Sequence, residues 1–257
     1  MKRIILILMT LTGLANAQTN QPYMLPPAEI LELADITPRP AVRIDSRNTL
    51  MVMLDRLAFK TLEEMAEEEV KLAGIRINPR TNGQSRTAYN YGIRVMNIAT
   101  GSYLTITGLP DKLRISEFSF SPDESKAAFT NTVAGGIELW VLDLGSGEAR
   151  KLSPPRLNAA LGSSYLWSPQ SDALFAMFVP ENRRPLPATL ELPAGPAVQE
   201  STGKKAPART YQDLLRNPAD EEKFEYYTME EVKHIDLKGN ISDFLPAAIY
   251  RSLSFSP

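Results

Sequence analysis

A strand, a Ser-Pro turn and a second strand recur along this chain, and the spacing of the copies limits the fold more than any other feature. Residues 118–130 (FSFSPDESKAAFT) open the series, 165–178 (YLWSPQSDALFAMF) repeat it, and 252–257 (SLSFSP) begin it again. Pro122 suits the first central position of a turn, and Asp123 is able to bond its own backbone. Ser121 and Ser168 are 47 residues apart and Ser168 and Ser256 are 88 apart, close to two units or to one unit carrying an insertion. A weaker copy, VRIDSRNTLMVML, occupies 42–54.

A second kind of hairpin lies between these turns. Residues 136–152 (GIELWVLDLGSGEARKL) predict a strand, a turn over Gly145 to Gly147 and a return strand. Residues 92–109 have the same design around Thr100-Gly101, and 232–245 repeat it around Lys238-Gly239-Asn240. Two hairpins in a period of about 45 residues make four strands per unit, which is the size of a β-propeller blade. The expected fold is all-β: about three to four blades of a larger propeller, with short helical insertions. A generic β-sandwich is the competing architecture, but phrases repeated at blade spacing are unusual there.

Two segments interrupt the pattern. In 55–90, Leu62, Met65, Ala66 and Val70 fall at helical spacing, Thr61 with Glu64 forms a capping box, and the run Glu67 to Glu69 is expected to be a solvated helix face. Residues 180–225 are rich in Pro, Ala, Lys and Glu until Leu214, Leu215 and Phe224, which are placed to anchor short helices. The first residues resemble an export leader: Lys2 and Arg3, an apolar run from Ile4 to Leu14, then Ala15-Asn16-Ala17 as a cleavage site. This divides the chain into a signal peptide (1–17), an amino-terminal extension (18–40) and an incomplete propeller (41–257). No apolar run is long enough to span a bilayer, so an exported product, periplasmic or extracellular, is expected.

Composition then removes most chemistries. With 28 Lys and Arg against 30 Asp and Glu, the chain lacks the basic excess that nucleic-acid binding needs. No Cys and a single His, His234, exclude thiolate catalysis, Cys-based zinc sites and any site built on two imidazoles. Neither a phosphate-binding Gly-rich loop nor a calcium loop is present, so no metal or cofactor is expected. A Ser-His-Asp triad needs Gly-x-Ser-x-Gly, and no serine has that frame; Ser146 has glycines as immediate neighbours in a hairpin turn. His234 sits in a strand without a nucleophile and is expected to have a structural or surface role. The chain is therefore expected to carry no catalytic residue and to be inactive alone.

Several phrases resemble a known family. YMLPPAEILELAD (23–35), KLAGIRINPRTNGQSR (71–86), YGIRV (91–95) and RTYQDLLRNPADEEKFEYY (209–227) look like the amino-terminal propeller region of prolyl oligopeptidase family serine peptidases, in the glutamyl endopeptidase-like branch. The resemblance implies a carboxy-terminal α/β-hydrolase domain that this chain lacks, with the propeller filtering peptide substrates by size. It also implies that an arginine meets a substrate glutamate. Arg76, Arg80 and Arg86 are the candidates, since guanidinium forks bind carboxylates bidentately; they are equally placed to bridge the acidic segment 61–70 or the hydrolase domain. Tyr89, Tyr91, Tyr226 and Tyr227 fit rim packing or substrate contact. The alternative function is a stand-alone periplasmic propeller that binds a protein partner.

Overall fold

The computed structural model describes residues 24–34, 36–186, 203 and 213–255. The expected leader at 1–17 and the expected turn residues Ser256 and Pro257 lie outside them. Residues 1–37 form one unit, whose described part is a short helix, α1 (Ala28–Ala34). Residues 38–257 form the other.

The described part of the second unit is built from antiparallel blades of three to four strands and one small three-stranded sheet. The first blade contains β1 (Ala41–Ile44), β2 (Leu50–Arg56) and β6 (Asn90–Asn97), with an isolated bridge from Met96 to Tyr103 where a fourth strand begins. The second is β7 (Ile115–Phe120), β8 (Lys126–Val133), β9 (Gly136–Asp143) and β10 (Ala149–Lys151). The third is β11 (Tyr165–Trp167), β12 (Ala173–Phe178), β13 (Glu230–Asp236) and β14 (Ile241–Ala248). The first two blades are formally one sheet, in the order β1-β2-β6-β7-β8-β9-β10, but only the pair Asn90 and Ile115 joins β6 to β7. The four-stranded units read from the repeats are these blades.

Side-chain alternation explains how the blades stack. On the second blade Ala127, Phe129, Trp140 and Leu142 pack with Val52, Leu54, Ile93 and Val95 of the first. The intervening residues Ala128, Ile137, Leu139 and Val141 pack with Trp167, Leu174, Ala176 and Ile235 of the third. A strand's residues point alternately to the two faces, so a sheet buried on both sides contributes to two cores.

The recurring turns are one structure used three times. At Asp45 to Leu50, Ser121 to Lys126 and Ser168 to Ala173 the first residue's N–H donates to the sixth carbonyl and the fourth N–H to the first. The fourth residues, Asn48, Glu124 and Ser171, all have left-handed backbone, with φ of 56°, 58° and 62°. The weak copy at 42–54 is thus a full member, with Asp45 in place of serine. Glu124 accepts from Ser46 N and Oγ, both at 2.7 Å, and Asp123 N donates to Ser171 Oγ at 3.0 Å, so each turn is fastened to the next.

The 55–90 insertion differs from expectation. The capping box forms, with Glu64 N donating to Thr61 Oγ1 at 3.2 Å, but the helix α2 covers only Leu62–Met65. Leu62 and Met65 are exposed, so no apolar face holds a longer helix. Instead β3 (Val70–Leu72), β4 (Ile75–Asn78) and β5 (Gly83–Gln84) form a small meander. Glu67 and Glu69 are not a solvated face: Glu67 accepts from Arg114 at 2.8 Å and Asn78 at 2.9 Å, and Glu69 takes Arg76 and Ser85, each at 2.7 Å. The second insertion ends in α3 (Pro218–Thr228), with Asn217 as its N-cap and Pro218 in its first turn. Phe224 and Leu215 join Leu72, Ile77 and Tyr227 in a third core, while Leu214 is exposed.

Candidate functional site

The leading strands of the three blades border one cavity of about 800 Å³. Arg43 of β1, Ser116 to Phe120 of β7 and Tyr165 to Trp167 of β11 line it, together with Gln84 and Thr87 of the insertion. Propeller blades are arranged around a central channel, and in this fold the strand that begins each blade borders the cavity. Gly83 reaches this wall because it packs against Ile137; a Cβ there would meet the Ile137 side chain at 2.8 Å.

Glu117 is the acid of this wall. It projects from β7 and accepts from Ser163 Oγ at 2.7 Å, from Ser164 Oγ at 2.8 Å and from Ser164 N at 3.0 Å. Burial raises its carboxyl above the ordinary value, and the three serine donors oppose the rise. The result ties the second blade to the loop that leads into the third. Tyr165 stands beside it, fully engaged: its hydroxyl donates to the Ala128 carbonyl at 2.9 Å and accepts from Ser119 at 3.0 Å. Its phenol is pushed up by burial.

The three arginines singled out from sequence sit apart from this cavity's centre. Arg76 donates to Glu69 at 2.7 Å and lies 3.5 Å from Asp213, and Arg86 pairs with Glu69 at 2.8 Å. Glu69 is held down to about 2, first by the Ser85 hydroxyl and then, against the cost of burial, by these two guanidiniums. Arg80 is exposed and forms no ion pair among the described residues; it lines a cavity of about 650 Å³ with Glu67, Lys112 and Arg114. Arg114, which no sequence motif marks, lies 4.3 Å over the Tyr89 ring and donates to Glu67. Tyr91 donates to Glu64 at 2.6 Å, and Tyr226 lies under Arg183 at 4.1 Å.

The remaining candidates have local roles. Ser146 closes its hairpin by donating to Asp143 at 3.1 Å. His234 packs against the Phe175 ring at 5.3 Å. Among the described residues no group of His, Asp and Glu is arranged to hold a metal ion, and no helix is long and apolar enough to cross a membrane.

Consecutive antiparallel blades, packed face to face with their leading strands on one cavity, define a β-propeller region. Sequence comparison gives the group. The chain is 32% identical over 248 residues to a protein of Oryza sativa subsp. japonica named probable glutamyl endopeptidase, chloroplastic, covering 91% of this chain and 26% of that protein. A protein of the same name from Arabidopsis thaliana is 30% identical over 243 residues, covering 90% and 25%. By sequence the chain is thus similar, over nine tenths of its length, to one part of these two proteins, in keeping with its resemblance to a propeller region of the prolyl oligopeptidase family's glutamyl endopeptidase-like branch. It spans about a quarter of the length of the curated relatives it matches. No family model matches the chain. Among solved structures, Pyrococcus horikoshii acylaminoacyl peptidase is 16% identical with a TM-score of 0.39, covering 81% of this chain and 25% of that one. TolB from Acinetobacter baumannii is 11% identical with a TM-score of 0.32, covering 80% and 32%. Likeness at that level is remote.

Proposed function

We propose that this chain is the propeller part of an exported serine peptidase that cleaves after glutamate, and that the edge formed by β1, β7 and β11 filters peptides on their way to a catalytic domain elsewhere in the parent protein. The observation that carries this reading is the 32% identity, across 91% of the chain, to a protein named probable glutamyl endopeptidase. Hydrolysis is assigned outside this segment because the chain has no Gly-x-Ser-x-Gly and its one histidine packs in a blade. Export rests on the leader at 1–17; the plant relatives carry chloroplastic names instead, so the address differs while the propeller is kept.

Within this reading Arg80 is the arginine that meets the substrate glutamate, since Arg76 and Arg86 are already held by Glu69. Two experiments test the proposal. Reading the gene past the codon for Pro257 is expected to reveal a hydrolase domain with Ser, Asp and His in that order; a stop codon there refutes the reading. In the complete enzyme, Arg80→Ala is expected to lower kcat/KM for glutamyl peptides by tenfold or more relative to glutaminyl ones. An unchanged ratio removes Arg80 from the specificity site.

A further inference from the structure

A second cavity, of about 240 Å³, abuts the first and shares Gly162, Ser163, Tyr165 and Leu166 with it. Glu230 opens onto it from the start of β13, where the register with β14 shifts between Glu230 and Val232. Such irregularities re-aim a side chain. Glu230 is only 5% exposed, and among the described residues no hydrogen bond or ion pair reaches its carboxylate. The other buried acids are satisfied. Asp45 accepts from Thr49 N, Thr49 Oγ1 and Leu50 N, and Glu138 accepts from Trp140 Nε1 at 2.9 Å and Lys151 at 3.3 Å. A buried carboxylate without a partner is costly and rare, so such a carboxyl either stays protonated or meets a cation.

The rest of the wall narrows what that group is. Leu161, Met177 and Leu253 are apolar. The two phenols are engaged, Tyr165 with Ala128 and Tyr250 with the Pro246 carbonyl at 2.7 Å. Arg251 lines the rim, but it is exposed and unpaired with Glu230. Among the described residues Glu230 is therefore the one buried carboxyl of this cavity, set beside aliphatic side chains, with Arg251 and Ser252 at the exposed rim.

We propose that this cavity binds a protonated amine or guanidine on a short apolar stem, with the cation against Glu230 and the stem against Leu161, Met177 and Leu253. The site stands on this geometry and does not rest on the peptidase reading. Burial holds the Glu230 carboxyl up to about 8, so below that pH a cation must first displace a proton. The charged and titratable groups facing it are Tyr165, Tyr250 and Arg251.

The probe is n-butylammonium, which stays charged to about pH 10 as lysine does, titrated calorimetrically into the full chain at pH 6 and pH 9. The ionised fraction of Glu230 rises from about 1% to about 90% over that range, so binding is expected to be saturable, one to one, and roughly 90-fold tighter at pH 9. Glu230→Gln, nearly isosteric and checked for folding by circular dichroism, is expected to lose it, and n-butanol is expected not to distinguish the two proteins. Equal binding by parent and Glu230→Gln, or no saturable binding by the folded parent at pH 9, overturns the proposal.

Discussion

Replacing Glu230 by Gln turns a buried acid into a stability probe whose size follows from its surroundings. The carboxyl has an ordinary value of 4.5 and is raised to about 8 in the folded chain by burial alone. A raised carboxyl favours folding while it is protonated and loses that advantage as pH climbs from the unfolded value through the folded one. At pH 5 the folded chain is protonated there and the unfolded chain is about three-quarters ionised, so the penalty is about 1 kcal/mol. By pH 9 both are ionised, and the folded chain bears a penalty of about 5 kcal/mol, an upper bound that local water entry reduces. Glu230→Gln is neutral throughout, so it should match the parent at pH 5 within about 1 kcal/mol and exceed it by about 3–4 kcal/mol at pH 9. Urea unfolding of both proteins at unit pH steps measures this, since every other titrating group cancels in the difference. Parallel curves from pH 5 to 9 would refute the claim that Glu230 is buried without a partner.

Further outcomes follow from the same contacts. Phe129→Ala empties a fully buried position stacked on Trp140 and should cost about 3–5 kcal/mol in urea unfolding. Gly136→Ala places a Cβ against the Pro155 carbonyl oxygen, so its melting temperature should fall, with a loss of about 1–3 kcal/mol. Glu69→Gln should flatten the acid limb of stability between pH 4.5 and about 2, because a depressed carboxyl contributes above its unfolded value and loses that contribution as pH falls. Glu124→Ala should lose about 1 kcal/mol with the Ser46 bonds, while Glu124→Gly should regain part of it by relieving the left-handed backbone at φ 58°; chemical unfolding of the pair reads the difference.

Local pattern carried the blades because turns and alternation are local. Asp45, Ser121 and Ser168 each begin a turn closed by its own six residues, and Gly147 and Gly239 supply positive φ at the hairpins between them. The same logic identified the Thr61 and Glu64 capping box, whose partners are three residues apart. It failed over 66–72, where the apolar spacing suits a helix. There the outcome depended on Arg114, 47 residues from Glu67, and on Arg76 and Arg86 competing for Glu69. Glu117 and Glu230 were passed over for a related reason. Each is an acid in a strand, a visible oddity, but Ser163 and Ser164, which engage Glu117, lie 46 and 47 residues on.

The sequence by itself determined the repeat, the four-stranded unit, the turn chemistry and the family resemblance, all of which are written in neighbouring residues or in direct similarity. Only the tertiary structure decided which acids are satisfied and which is not. Asp45, Glu69, Glu117 and Glu230 are one kind of chemistry in the sequence. Asp45 finds its donors within its own turn and Glu69 within the adjoining meander, whereas the packing of blade on blade brings Ser163 and Ser164 to Glu117 and leaves Glu230 facing a largely apolar cavity, because desolvation and hydrogen-bond supply there depend on which distant segments meet.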